Sequence, residues 1–167
     1  MEEGREIEMN HIRLLALDFD GVMTDNRVLV DQDGRESVWC HRGDGYGIGL
    51  LKKAGVEVVV ISMEPNPVVA ARCRKLDIPC IHDCTDKLSA LKNLAGQKNL
   101  GPAEIAFVGN DLNDLEGLRW VGTPIAVADA VPEILSIAKY VTTRNGGFGA
   151  VREVADWILK GDTAGHS

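Results

Sequence analysis

The 167-residue chain has no apolar run approaching the ~20 residues needed to cross a bilayer. Its acidic start, MEEGREIEMN, lacks the pattern of a signal peptide, so the expectation is a cytoplasmic protein that does not enter a membrane. An excess of positive charge is missing as well. The net charge of −7 argues against nucleic acid as a partner, although a local positive site can still take an anion. The four cysteines, Cys40, Cys73, Cys80 and Cys84, include no CxxC pair, and in a reduced compartment they act as small apolar residues. Cys80, His82 and Cys84 show no evident fourth ligand and fit no standard zinc spacing. No linker, repeat or low-complexity segment divides the sequence. The organisation expected is an N-terminal extension over 1–10, one domain over 11–160 and a short tail over 161–167.

What is present is organised around Leu14 to Asp25, LLALDFDGVMTD. The apolar run from Ile12 to Leu17 reads as a buried strand, and it ends in Asp18-Phe19-Asp20-Gly21. Residues two apart on a strand share a face, so both carboxylates project the same way where the apolar run stops. Two like charges at that spacing repel unless a cation lies between them or one is protonated. A hard divalent ion such as Mg²⁺ is the natural candidate. Gly21 lets the backbone turn and leaves space beside the acids.

Downstream, Arg27–Val30 and Glu36–Cys40 flank Asp31-Gln32-Asp33-Gly34 and predict a β-hairpin over about 27–40. Such an exposed hairpin needs covering, and a partner subunit is one way to cover it. His41 to Gly47 reads as a flexible loop, with its Arg42-Gly43-Asp44 triplet as loop chemistry, leading into a helix over Ile48–Ala54. Strands then alternate with helices. Val56–Ile61, Ile78–Ile81, Ile105–Val108 and Pro124–Val127 are the strands. The helices run from Asn66-Pro67 to Leu76, from Asp86 to Lys98, after Asp114, after Pro132, and from Gly149 to Leu159. This alternation predicts an α/β fold, a Rossmann-like doubly wound parallel sheet with helices on both faces and the hairpin projecting from it.

In such a sheet the ligand site lies beyond the carboxyl ends of the strands. That rule brings together Asp18 and Asp20, then Ser62, then Asn110, Asp111 and Asp114, with Lys87 at the start of a helix near the same rim. Acids for a cation, a hydroxyl donor and a lysine suit a phosphoryl group. Each has a bland alternative: a helix-entry serine, a solvated lysine, a first-turn acid. Four segments meeting at one edge make coincidence a poor account of them.

DFDGVMTD, Ser62 after VVVI, Lys87 in TDKL and GNDLND resemble, in order, the four motifs of the haloacid dehalogenase-type phosphatases. The resemblance spans about residues 12–159, and the hairpin is the only insert after the first motif, so it is similar to the capless branch that dephosphorylates sugar-acid phosphates. The resemblance implies a Mg²⁺-dependent homotetramer whose hairpins pack together and whose neighbouring subunit helps to close the site. TTRNGGFGAVREV resembles that branch's C-terminal signature, with Gly146, Gly147 and Gly149 implied to let the backbone approach a neighbouring subunit. Asp18 is implied to be the nucleophile and Asp20 the acid and then the base, with the Ser62 hydroxyl and N–H and the Lys87 ammonium meeting the phosphoryl oxygens. Mg²⁺ is implied on the Asp18 side chain, the Asp20 carbonyl and the fourth motif, where Asn110, Asp111 and Asp114 stand. Asn110 replaces the usual aspartate, and its neutral amide implies weaker Mg²⁺ binding.

Ser62-Met63-Glu64 differs from the Thr-Gly-Arg-like second motif of octulosonate 8-phosphate phosphatases and is similar to that of nonulosonate 9-phosphate (KDN and N-acylneuraminate) phosphatases. In that group a glutamate, an arginine and a lysine at the positions of Glu64, Arg72 and Lys75 sit at the substrate entrance. Arg72 and Lys75 lie i, i+3 on one helix face and suit a sugar carboxylate, or else form a solvated face. Two rivals stand beside this reading. The fold also occurs as an assembly module at the C-terminus of CMP-sialic acid synthetases, which Asn110 favours. A signalling receiver also joins an aspartyl-phosphate to Mg²⁺, Ser or Thr and Lys, but carries its acceptor on a middle strand.

Overall fold

The computed structural model describes residues 8–163; the predicted extension over 1–7 and the end of the tail over 164–167 lie outside the described residues. Strand β1 (Leu14–Leu17) is wholly buried and stands at the centre of a six-stranded sheet. The other strands of that sheet are β4 (Glu57–Ile61), β5 (Cys80–Ile81), β6 (Ile105–Gly109), β7 (Thr123–Ala126) and β8 (Tyr140–Val141). Their order is β5-β4-β1-β6-β7-β8, and every pairing is parallel. The apolar runs of β1 and β6 are buried throughout, as a sheet covered on both faces requires.

Helices α1 (Arg42–Lys53), α2 (Val68–Leu76) and α6 (Ala150–Thr163) pack as one group. Helices α3 (Lys87–Lys98), α4 (Leu115–Trp120) and α5 (Pro132–Ile137) pack as another. The chain winds outward from β1 first toward β5 and later toward β8, and right-handed crossovers then place the two groups on opposite faces. The direction of winding switches at β1 and β6, so the loops leaving these two strands diverge and open a crevice at their carboxyl ends.

Several predicted boundaries moved. Met9, assigned to the extension, is fully buried in the core, and α6 continues past Lys160 to Thr163. Strand β8 was not anticipated from the sequence; it has two residues, too few for a period to register. The hairpin is present, but its strands β2 (Leu29–Val30) and β3 (Glu36–Ser37) are shorter than predicted, with a separate Thr24–Cys40 bridge nearer its base. Asn66 ties the hairpin to the segment that enters α2. Its Nδ2 donates to Glu36 at 2.7 Å, while its Oδ1 accepts the N–H of Val68, the first residue of α2; the helix cap itself is Pro67, not Asn66 as predicted.

The largest correction is at His41 to Gly47, predicted as a loop and found mostly within α1. Each glycine lowers helix propensity by about 1 kcal/mol, which made a loop the local expectation. Packing reverses it. A Cβ on Gly47 would lie 3.0 Å from the Ala155 Cβ, and one on Gly45 would lie 2.9 Å from Leu76 Cδ2. The glycines let α1 settle closely against α6 and α2, and burial repays the lost propensity. The His41 side chain caps the helix by accepting the Gly43 N–H at 3.0 Å.

This packing buries Asp44, whose Oδ1 accepts the Arg152 N–H at 2.9 Å while Oδ2 has no partner. Burial pushes its carboxyl up to about 6 from the ordinary 3.8. The folded state therefore holds this proton more tightly than the unfolded chain. Its contribution is fully favourable below the unfolded value and is lost as pH rises through the folded one, a span worth roughly 3 kcal/mol at most. Asp44→Asn keeps the acceptor for Arg152 and removes the charge. Thermal unfolding is expected to show a midpoint a few degrees higher at neutral pH and a flatter slope of stability between about pH 4 and 6. An unchanged slope would place the titration elsewhere.

Candidate active site

Asp18 follows β1 directly, and its main-chain N–H still donates to Val108 of β6, so the sheet holds its backbone. Its carboxylate is buried: Oδ1 accepts the Phe19 N–H at 2.7 Å and the Lys87 Nζ at 2.8 Å. Lys87, in the first turn of α3, also donates to Asp114 Oδ1 at 2.7 Å. The lysine and both acids are almost wholly out of water, with side chains 1%, 6% and 0% exposed for Lys87, Asp18 and Asp114. Burial, and then the charge of Asp114, push Asp18 up to about 8 against the pull of Lys87. Burial disfavours the Lys87 ammonium, but the two carboxylates outweigh it and hold the lysine above its ordinary value.

Asp114 departs from its expected role as a metal ligand. Its Oδ1 is taken by Lys87, and its Oδ2 accepts the N–H groups of Asn110 at 2.9 Å and Asp111 at 3.4 Å. It anchors the lysine and shapes the loop after β6. Asp111 turns its Oδ1 to the Leu112 N–H at 2.7 Å, while the residue itself lines the cavity. Asn110 takes the central place. One end of its amide lies 2.8 Å from Asp18 Oδ2 and 3.1 Å from the Asp20 carbonyl oxygen.

Two orientations of that amide have different consequences. With nitrogen inward, it donates to both oxygens. With oxygen inward, three oxygens converge at spacings close to the ~3.0 Å expected between adjacent ligands of an octahedral ion with bonds of 2.0–2.1 Å. The donor set fits a hard divalent cation through two side-chain oxygens and one main-chain carbonyl. Among the described residues no cluster of three or more His, Cys, Asp or Glu side chains offers an alternative metal site.

Gly21 is required here: its φ is +83°, and a Cβ would come within 2.0 Å of the Asn110 amide nitrogen. Asp20 is half-buried, and burial first, then Glu64 and Glu36, raise its carboxyl above the ordinary range. A carboxyl raised in this direction holds its proton more readily than a free one, which suits a general acid. Ser62 is buried at the end of β4. Its N–H is donated to the Ile81 carbonyl at 2.8 Å, so the expected contribution of that N–H to an anion is excluded. Its Oγ accepts the Glu64 N–H at 3.1 Å, leaving the hydroxyl proton to donate.

Asp18, Asp20, Ser62 and Asn110 line a cavity of about 530 Å³ with Asn26, Met63, Glu64, Pro65, Asp111 and Asn113. Arg72 and Lys75 do not line it. Arg72 lies against α1, near Gly45, with its Nε buried and unpartnered, and Lys75 is exposed. Sequence reasoning missed Thr24, whose buried hydroxyl oxygen accepts the N–H groups of Gly21 and Asn26, both at 3.1 Å, and whose side chain is hydrogen-bonded to Asp20. A hydroxyl four residues after Asp20, in DGVMTD, was the available signal.

A parallel sheet with a buried Asp–Lys–Asp chain, a second carboxyl and convergent oxygens at its switch point is the arrangement of a phosphoryl-transfer hydrolase. The family model for haloacid dehalogenase-like hydrolases matches residues 75–154. The chain is 39% identical over 150 residues to the 3-deoxy-D-manno-octulosonate 8-phosphate phosphatase of Escherichia coli K12, covering 89% of this chain and 80% of that one. A solved structure from Streptomyces avermitilis described as a HAD family hydrolase is 49% identical, with a TM-score of 0.89 over 93% of this chain and 89% of that one. The octulosonate 8-phosphate phosphatase of Moraxella catarrhalis, solved with magnesium, phosphate and KDO, is 33% identical, with a TM-score of 0.90 over 93% of this chain and 90% of that one. The chain belongs to the haloacid dehalogenase-like hydrolases, among the capless phosphatases of that family. The receiver alternative is thereby set aside.

Lys87→Ala would leave two buried carboxylates side by side without their cation. Urea unfolding in the absence of divalent ions is expected to show a loss of roughly 3–5 kcal/mol. A loss below about 1 kcal/mol would mean that water reaches the pair and replaces the lysine.

Proposed function

We propose that the protein is a Mg²⁺-dependent phosphomonoester hydrolase acting through an aspartyl-phosphate on a phosphorylated 2-keto-3-deoxy sugar acid. The carrying observation is the set of oxygens from Asp18, Asp20 and Asn110 beside a nucleophile already held by Lys87. Asp18 attacks phosphorus while Asp20 gives its proton to the departing sugar oxygen. Asp20 then takes a proton from water as that water attacks the acyl phosphate, restoring Asp18 and releasing phosphate. Lys87 and the Ser62 hydroxyl meet charge on the transferring oxygens. Asp18, the Asp20 carbonyl and the Asn110 amide oxygen would hold Mg²⁺, which would supply positive charge there and favour the ionised form of Asp18.

The relatives support an eight-carbon acid as substrate, because the E. coli and M. catarrhalis proteins carry octulosonate 8-phosphate in their names. The nine-carbon reading rests on Glu64, which lines the cavity beside Asp20. Phosphate release with Mg²⁺ from octulosonate 8-phosphate and from a nonulosonate 9-phosphate separates the two. Turnover of either is expected to fall at least 10³-fold in Asp18→Asn, the scale of losing a covalent nucleophile. Asn110→Asp, run beside it, is expected to lower the Mg²⁺ concentration for half-maximal rate about tenfold through its added charge. No turnover of either acid by a protein that still assembles would favour the assembly-module reading.

We further infer that a second copy completes the site, in a homotetramer. The hairpin leaves Val28, Leu29, Val30 and Trp39 more than half exposed, and apart from Lys87 the active-site residues include no cation for a sugar carboxylate. Leu29→Glu is expected to shift sedimentation toward monomer and to raise KM. A variant that keeps both the wild-type mass and KM would remove the hairpin from the assembly.

A further inference from the structure

The sequence left the three glycines of Asn145–Gly149 for a neighbouring subunit to approach. In the structure two of them face this chain's own catalytic turn. A Cβ on Gly146 would fall 1.7 Å from the Gly21 carbonyl oxygen and 2.5 Å from its carbon. Gly147, at φ +77°, would bring a Cβ within 2.3 Å of the Asp25 nitrogen. Its N–H donates to the Val22 carbonyl at 3.1 Å. The third, Gly149, at φ +99°, lies beside Arg144 within the loop.

The turn from Phe19 to Asp25 is thus enclosed from two directions. Asn110 lies against Gly21 on one side, where no Cβ fits, and Gly146 lies against the Gly21 peptide on the other. That peptide, Gly21–Val22, is the next one along from the Asp20–Gly21 peptide, whose carbonyl faces the cation site, and Asp20 also carries the carboxyl proposed to move protons. The glycine loop therefore bounds the space open to the turn that carries both Asp20 groups.

The loop is itself clamped. Asp129, after β7, accepts the Gly146 N–H at 3.0 Å. Glu153, in the first turn of α6, accepts the N–H of Thr143 at 3.0 and 3.1 Å, its hydroxyl at 3.1 Å, and the N–H of Arg144 at 3.1 Å. The segment after β7 also reaches the other wall, since the Val131 N–H donates to the Asn110 carbonyl at 2.9 Å. One short connection between β7 and α5 thereby ties together both walls enclosing Asp20.

We propose that the loop from Thr143 to Gly149 is a buttress for the catalytic turn, with Gly146 and Asp129 as positioning residues that set the Asp20 carbonyl and carboxyl without touching substrate. This rests on the hydrolase reading above. Asp129→Ala removes the acceptor for Gly146, whereas Asp129→Asn retains an acceptor oxygen at the same place. With p-nitrophenyl phosphate, the alanine variant is expected to lose about tenfold in kcat with KM within twofold of wild type, and the asparagine variant to recover to within twofold. Calorimetric titration with Mg²⁺ alone is expected to show weaker binding in the alanine variant and near wild-type binding in the asparagine variant. Gly146→Ala is expected to exceed both losses. If it does not fold, the Asp129 pair decides alone. Equal kcat and equal Mg²⁺ affinity in wild type and Asp129→Ala, or equal impairment by alanine and asparagine, would overturn the proposal. A wild-type protein without turnover would instead overturn the hydrolase reading, and the Mg²⁺ titration would still test the buttress.

Discussion

A lysine ammonium held between two carboxylates in a nearly dry interior is the interaction on which this site depends. Lys87 reaches from α3 to Asp18 on one side and Asp114 on the other, and none of the three has appreciable access to water. Removing any charge from water costs several kcal/mol, so the group is tenable only with its partners in place. With both acids ionised, two acids and one base leave an excess negative charge, which makes the adjoining oxygens of Asp18, Asp20 and Asn110 a favourable seat for a cation. Stability and the proposed chemistry are coupled here: the contacts that keep the buried charges tolerable also hold the Asp18 carboxyl in place.

The sheet supplies the geometry. Because β1 and β6 are neighbours whose following loops diverge, Asp18 and Asn110 come from separate segments yet meet across a few ångströms. Small residues are what make that approach possible. Gly21 yields space to Asn110, Gly146 yields space to Gly21, and Gly47 lets α1 close on α6. The apolar strands are the rigid part, and the glycine-lined turns above them carry the chemistry.

The chemical identity of the site was legible in the sequence because it resides in residue types at strand ends. Asp18, Asp20, Ser62 and Lys87 could be assigned to one rim from alternation alone, since parallel strands put their carboxyl ends on the same side. The resemblance to a capless phosphatase added the order of the motifs, and family membership bears it out. Roles that depend on where an atom points were not legible. Asp114 serves the lysine and the loop amides, and the Ser62 N–H belongs to the sheet. Arg72 faces α1, since the same helical spacing that pairs it with Lys75 is consistent with either orientation.

By itself, then, the sequence determined the order of strands and helices apart from β8, the parallel sheet and the set of groups able to handle a phosphoryl oxygen. Those follow from period, composition and local turn chemistry, which are properties of neighbours along the chain. Only the tertiary structure decided that a glycine-rich stretch becomes α1 and that the glycines near the C-terminus press on the catalytic turn. It also decided that a neutral amide stands between a carboxylate oxygen of Asp18 and the main-chain carbonyl of Asp20. Each depends on which distant backbone comes close enough to exclude a Cβ or share a proton. No local pattern encodes that distance.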